Sequence, residues 1–374
     1  MIIAEHFQKP DGIYALSHSV GPLTNAAQEA LSEHYLKAWS TFGGDAWPSW
    51  LAQTDEFCEN IGKVINASAH EICPQNNLAA GFHSFLTAVA KRKGRSRKRV
   101  ILMHKDAFAS MGFVVEGIAE TFNLQLHLVD ADPNDLAAWH EAFREQNVLA
   151  CLITHVHSNT SVKSDVKAIA KIAKQCEAYV CVDIAQSVGI VSIDLTQWNV
   201  DAVFGSCVKW LCGGPGAGFM YINDALIKQL QPDPVGWFSH QNPFEFDITH
   251  YSPANSAKRF WGGTPSIAPY VIANASIKTL LTIGLDNLAE HNLHLKETLV
   301  KNLPDHKVFD HVKQNYENLG GSLCIGSIDK LHTRHKLNEA NIKFDERDGI
   351  FRISMHVINT SAEASLIATC FSFP

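Results

Sequence analysis

The 374-residue chain predicts an α/β architecture: a mostly parallel sheet flanked by helices, followed by a smaller α/β region at the C-terminal end. Three observations carry this. Short apolar runs, Val100-Ile101-Leu102-Met103, residues 149–154 and Val180-Cys181-Val182, read as central strands buried on both faces. Helical patterns over residues 135–145 and 166–176 alternate with them, and strand, helix, strand at that spacing implies right-handed parallel crossovers. Two longer helical patterns, from 267 to 281 and from 285 to 303, then lead into a second, shorter α/β stretch.

The chain is long enough for two substantial cores. A net charge of −7 and an apolar fraction of 46% fit a soluble, mildly acidic protein. The opening MIIAEHFQKPDG carries Glu5 where a secretory leader needs an apolar run, and no apolar stretch is long enough to span a membrane. Nine cysteines, an odd number scattered through apolar segments, point to buried thiols in a reducing compartment, and so to a cytoplasmic protein.

Taken in order, Ser17-His18-Ser19-Val20-Gly21-Pro22 is a turn-rich segment ahead of a helical pattern through Ala26, Ala30, Leu31, Tyr35 and Leu36. The Gly- and Trp-containing stretch at 42–50 breaks that helix, and a longer one is predicted over 51–66. Around Asn77, Leu78 and Ala79 a strand end meets a helix start, where unpaired backbone N–H groups face outward to an anion. Residues 91–99 hold seven basic side chains; in an acidic chain this run reads as a solvated connector and not as a nucleic-acid surface. The strand at 100–103 leads to Asp106-Ala107-Phe108-Ala109-Ser110, and strands follow at 126–129 and 149–154. His155 and His157 lie at alternate positions past a strand end with no nearby third ligand, which argues against a metal site.

Residues 179–222 hold the chemistry. An apolar run ends in Asp183, so its carboxylate points into a site beside the sheet; a second run, 202–206, leads to Lys209 among Val208, Trp210 and Leu211. A lysine in such surroundings loses ammonium stability by desolvation and becomes a nucleophile toward a carbonyl, which an aldehyde cofactor exploits. A carboxylate opposite a pyridine nitrogen keeps that ring protonated and electron-withdrawing. Gly213-Gly214-Pro215-Gly216-Ala217-Gly218 looks like a dinucleotide loop, but Phe219-Met220-Tyr221-Ile222 continues as a strand where that motif opens a helix.

The blocks Asp183-x-Ala185-Gln186-Ser187-x-Gly189 and Ser206-x-x-Lys209-Trp210-Leu211, with the Gly-rich turn after them, resemble the class V aminotransferase branch of fold-type I pyridoxal phosphate enzymes, and kynureninases within it. The resemblance extends over most of the chain. It implies a seven-stranded sheet, Lys209 in Schiff-base linkage with pyridoxal 5′-phosphate and acting as general base and acid, and Asp183 on the ring nitrogen. Further cofactor contacts carried over are the backbone of Asn77, Leu78 and Ala79 at the phosphate, Phe108 stacked on the ring, Asn159 at the phenolic oxygen, Gln186 and Ser206. The resemblance also places Trp237 on the phosphate and has Thr264 reach the phosphate of the neighbouring subunit, so it implies a homodimer with shared sites. Arg352, with Arg347 as the alternative, takes the substrate carboxylate, since guanidinium offers two parallel donors; His18 lies at the site mouth. The implied division is an N-terminal segment 1–24 packed with the small domain, a cofactor domain 25–262 and a small domain 263–374. The implied reaction is hydrolytic C–C cleavage of an amino acid, as in kynureninase, with transamination, elimination or epimerisation as alternatives. Five departures stand out: Ala79 has no hydroxyl where the family has threonine, Met111 replaces an aspartate, Ser161 the glycine that follows Asn159-Thr160, Gln186 a histidine, and Val208 the tyrosine before the lysine. A desulfurase would need a cysteine shortly before Arg352, and residues 343–352 have none. A non-catalytic scaffold would be expected to have lost Lys209 or Asp183.

Overall fold

The computed structural model describes residues 3–94 and 99–372. The N-terminal segment contributes strand β1 (Ile13–Tyr14) and then helix α1 (Asn25–Ala30), capped by the Thr24 hydroxyl. A wide π-helical stretch, Leu31–Lys37, joins α1 to α2 (Ala38–Phe42). Helix α3 (Trp47–Ile65) takes Pro48 in its first turn, where no N–H is missed, and stops at Asn66, which adopts a left-handed conformation.

Strands and helices then alternate: β2 (Ile72–Gln75), α4 (Leu78–Lys93), β3 (Arg99–His104), α5 (Ala109–Phe122), β4 (Leu124–Val129), α6 (Leu136–Glu145), β5 (Val148–Thr154), α7 (Val166–Gln175) and β6 (Tyr179–Asp183). Strands β7 (Ala202–Ser206) and β8 (Gly218–Ile222) and the short helix α8 (Asp224–Ile227) complete this part. The seven-stranded sheet runs β2-β8-β7-β6-β5-β3-β4, and only β8 is antiparallel to its neighbours. The predicted mostly parallel sheet is thus present.

Side-chain alternation along the strands fills two cores. Val100, Leu102, Cys151, Ile153, Val180 and Val182 face one, with α3, α6 and α7; Ile101, Met103, Ala150, Leu152 and Cys181 face the other, with α4 and α5. Helices α9 (Ala268–Ile283) and α10 (Leu285–Asn302) follow. Helix α9 lies along α3, where Asn60 Nδ2 donates to Asn274 Oδ1 at 2.8 Å and the Phe57 and Tyr270 rings meet at 5.1 Å. By packing, α9 therefore belongs with the large sheet, beyond the expected boundary after 262, and a third core takes Ala15 from the N-terminal segment and runs from Leu295 in α10 onward.

The small unit adds α11 (Asp310–Asn315), β9 (Leu323–Gly326), α12 (Lys330–Glu339), β10 (Ile342–Lys343), β11 (Asp345–Arg347), β12 (Ile350–Ile353) and α13 (Ser361–Thr369). Strands β11 and β12 form a two-residue hairpin whose turn, Asp348-Gly349, has positive φ at both positions, the backbone that Asp-Gly favours. That hairpin sets Asp345 directly opposite Arg352, and Arg352 opposite Cys324 of β9. The N-terminal segment is stitched to this unit: β1 pairs with β10, and Leu16 bridges to Ser354.

In the basic run Lys91, Arg92 and Lys93 are exposed, as expected of a solvated connector, and Arg99 is the exception. Arg99 is buried and donates to the carbonyls of Ala90 and Gly94 at the C-terminal end of α4, a place where the helix dipole favours a cation. Arg92 donates to Tyr179 Oη at 2.7 Å, and Lys91 pairs with Asp233. Residues 95–98 of that run lie outside the described residues. All nine cysteines are free thiols. No single helix among the described residues is long and apolar enough to cross a membrane.

Candidate active site

The carboxyl ends of the parallel strands open into a cavity of about 260 Å³ that contains both Asp183 and Lys209. Asp183 ends β6, buried, and its carboxylate accepts from the Ala185 N–H at 2.8 Å. Burial raises its pKa, opposed by that hydrogen bond and by the Lys209 charge. Lys209 lies in the turn after β7. Burial pushes its amine below the ordinary lysine value; Asp183 opposes the shift, and Arg352 and Arg347 add to it. Among the described residues no ion pair within 4.0 Å joins Asp183 to Lys209, although both line the cavity. Lys209 Nζ sits 5.8 Å from the centre of the Phe108 ring, which forms one wall.

Asn77, Leu78 and Ala79 line the same cavity. Asn77 caps α4 by accepting from the Ala80 N–H at 2.9 Å, leaving the first-turn N–H groups of Leu78 and Ala79 without helical acceptors. The positive end of the α4 dipole thus faces the cavity, as an anion requires. Ser206 and Gln186 also line it, and Gln186 Nε2 donates to the His18 carbonyl at 3.2 Å.

Sequence reasoning missed other lining residues. Thr154, Val156 and Ser158 alternate along the extended end of β5 and all face the cavity. Alternation by two, read across 154–158, was the available signal. The same alternation turns His155 and His157 away: His155 Nδ1 meets Ser187 Oγ at 2.9 Å, and His157 packs edge-on against His104. The described residues contain no group of three His, Cys, Asp or Glu side chains able to hold a metal ion. Ser110 and the buried Met111, at the start of α5, line the cavity as well.

Thr154 shows that the cavity suits a polar ligand. Its hydroxyl is buried in the cavity wall with no hydrogen-bond partner among the described residues, a cost that a polar ligand would relieve. A cavity with an anion-binding helix end, a flat aromatic wall, a buried carboxylate and a desolvated amine matches an aromatic aldehyde phosphate in each functional group.

The aminotransferase class-V family model matches residues 22–366. The chain belongs to that family. Among curated relatives, the kynureninase of Deinococcus radiodurans is 28% identical over 300 residues, covering 78% of this chain and 71% of the relative. The kynureninase of Shouchella clausii is 24% identical over 380 residues, covering 96% and 87%. A solved structure, the apo cysteine desulfurase of Thermococcus onnurineus NA1, superposes with a TM-score of 0.82 at 20% identity, covering 96% of this chain and 93% of that one, a likeness of fold.

Pyridoxal 5′-phosphate is the cofactor of this family. In this class V chain Lys209, Asp183, Phe108 and the α4 N-terminus fit it. Bound there, it supplies an electron sink for charge developing on a substrate carbon.

The remaining expected site residues do not line this cavity. Asn159 is exposed and does not line the cavity, because Ser158 to Thr160 form a turn that carries it past the wall. Trp237 and Thr264 lie outside the cavity too, paired with each other. Arg352 is buried on β12, donates to the Ser158 carbonyl at 2.8 Å and is ion-paired with Asp345. Arg347 is exposed. His18 is buried and faces Ser354 and Asp345, not the cavity interior.

Proposed function

We propose that this chain is a pyridoxal-phosphate-dependent hydrolase of kynureninase type, cleaving a C–C bond in the side chain of an α-amino acid. The observation that carries the amino-acid part is Arg352, buried and donating to the carbonyl of Ser158, a residue of the cavity lining. A carboxylate held there would present its α-carbon toward the Lys209 amine. Lys209, once released from the cofactor, takes and returns the proton at that carbon, and Asp183 holds the ring nitrogen protonated. Support for the cleavage reaction comes from the curated relatives named kynureninase.

A second reading has its own observation. Met111, Gln186 and Val208 stand where that reaction type has an acid, an imidazole and a phenol, and Met111 and Gln186 both line the cavity. A site short of proton donors favours transamination, elimination or epimerisation of another amino acid. Free buried thiols favour a cytoplasmic setting, and an exposed aromatic surface around Trp237 favours a homodimer.

The test is to incubate the cofactor-loaded enzyme with L-kynurenine and follow anthranilate by fluorescence, with a panel of other amino acids in parallel. Anthranilate with alanine as co-product establishes the hydrolase; no anthranilate, with a different amino acid perturbing the cofactor absorbance, selects the second reading.

A further inference from the structure

Arg352 is not a free guanidinium waiting for a ligand. It is 3% exposed, one terminal nitrogen donates to the Ser158 carbonyl and the other is paired with the Asp345 carboxylate. The pairing is built by backbone register, since Asp345 lies directly across the β11–β12 hairpin from Arg352. Behind Asp345 runs a chain of buried polar contacts from other parts of the molecule. His18 Nε2 is 3.4 Å from Asp345 Oδ2, His18 Nδ1 is 2.6 Å from Ser354 Oγ, and Ser354 Oγ is 2.7 Å from Ser322 Oγ.

One arrangement of protons satisfies the whole chain. Burial, with Arg352, Lys209 and Arg347 nearby, lowers the His18 pKa to about 3, so the ring is neutral and has a single N–H. An ionised carboxylate only accepts, so that N–H belongs on Nε2, facing Asp345. Nδ1 then accepts from the Ser354 hydroxyl, and the Ser354 oxygen accepts from Ser322. Asp345 is therefore held from behind by His18 and from the front by Arg352.

Such a clamp fixes the plane of the guanidinium. Its buried Nε–H has no hydrogen-bond partner among the described residues, and each terminal nitrogen has a second hydrogen, so the fork has donors that the clamp does not use. A second carboxylate on those donors would be repelled by Asp345 alone. Arg347, two residues along β11 and without an ion-pair partner among the described residues, supplies the offsetting charge.

We infer that His18 and Asp345 are positioning residues that aim Arg352 at the substrate carboxylate, giving the site its preference for α-amino acids over the corresponding amines. The inference rests on the reading of Arg352 as carboxylate anchor. It separates Asp345 from a competitor that merely blocks Arg352.

The experiment titrates cofactor-loaded enzyme with L-kynurenine and with kynuramine, its decarboxylated counterpart, reading the initial change in cofactor absorbance by stopped flow. The quantity is the ratio of the two dissociation constants. Asp345→Asn and His18→Ala are expected to weaken kynurenine roughly tenfold, the loss of one charge-assisted hydrogen bond, and to leave kynuramine unchanged. His18→Gln, which still donates toward Asp345, should retain most of the ratio. Equal weakening of both ligands would make the network merely structural, and tighter kynurenine binding by Asp345→Asn would make Asp345 a competitor; either overturns the inference. An Arg352→Met variant with an unchanged ratio would sink the anchor reading itself. A ratio that collapses in Arg352→Met but not in the other two variants leaves the anchor standing and removes only the positioning role.

Discussion

Trp237 donates its indole N–H to Thr264 Oγ1 at 3.1 Å, and neither residue lines the cavity that holds Lys209 and Asp183. They belong to an aromatic surface. The Trp237 ring stacks on Phe246 at 5.9 Å and meets Trp47 edge-on at 5.7 Å; Phe246 is 74% and Ile248 100% exposed. Apolar surface of this kind is what an interface buries. In the proposed homodimer, Thr264 would reach the phosphate of the neighbouring subunit. Replacing Phe246 and Ile248 together by Asp is expected to shift the mass in sedimentation equilibrium from dimer to monomer and to weaken cofactor retention. A dimeric mass unmoved by the two charges would count against this interface.

Gly21 ties the N-terminal segment to the lysine turn. Its N–H donates to the Val208 carbonyl at 2.8 Å, and a Cβ added there would lie 2.1 Å from the Lys209 carbonyl oxygen, against rigid backbone. Gly21→Ala should therefore displace the turn that carries Lys209, destabilising by about 1–3 kcal/mol as overpacking does. Calorimetry and cofactor absorbance should fall together. Gly44→Ala, where an added Cβ meets nothing within 4 Å, is the control expected to leave both nearly unchanged.

The sheet and the two central site residues were legible because each rests on short-range pattern. Apolar runs marked β3, β5 and β6, and Asp183 and Lys209 stood out as isolated ionisable groups in apolar sequence. What the sequence did not show depends on contacts between distant segments. His18 was expected near substrate, but its partners are Ser354 and Asp345, more than three hundred positions away, brought close by the β1–β10 pairing. Asn159 follows a family pattern, yet a turn beginning one residue earlier removes it from the wall, while the strand alternation through Thr154, Val156 and Ser158 was readable and went unused. Arg99 sat in a charge run that invited a solvated reading; only the fold shows it folded back onto the end of α4.

Buried neutral histidines set the acid limit of the fold. Burial lowers His18 and His155 to about 3, and His157 and His356 to about 4, against an unfolded value near 6.5. Below pH ~6.5 the unfolded chain takes up protons that the native state refuses, so stability present above that pH is lost as pH falls toward 4. Each group contributes a slope of up to about 1.4 kcal/mol per pH unit. The melting temperature should drop steeply between pH 7 and 5, and His155→Gln, which keeps a polar group near Ser187, should make the drop shallower. A melting temperature constant over that range would contradict the assignment.

Lys209 and Asp183 divide the chemistry, and their variants should fail differently. In the proposed mechanism the amine, pushed below its ordinary pKa by burial, would attach the cofactor and move the substrate proton. Lys209→Ala should abolish the yellow absorbance of the bound cofactor and lower turnover by roughly 10²–10⁴-fold, the usual weight of a general acid–base group. Burial raises the Asp183 pKa, and a cation opposite it, such as a protonated ring nitrogen, favours its charged form. Asp183→Asn keeps the shape and the Ala185 hydrogen bond but cannot hold that proton. It should therefore bind cofactor, weakly, with the absorbance band retained, while turnover falls over a similar range. Loss of the band in Asp183→Asn as complete as in Lys209→Ala would mean that the carboxylate serves chiefly to hold the cofactor in place. A band retained with turnover near wild type would mean that the ring proton is held by some other group.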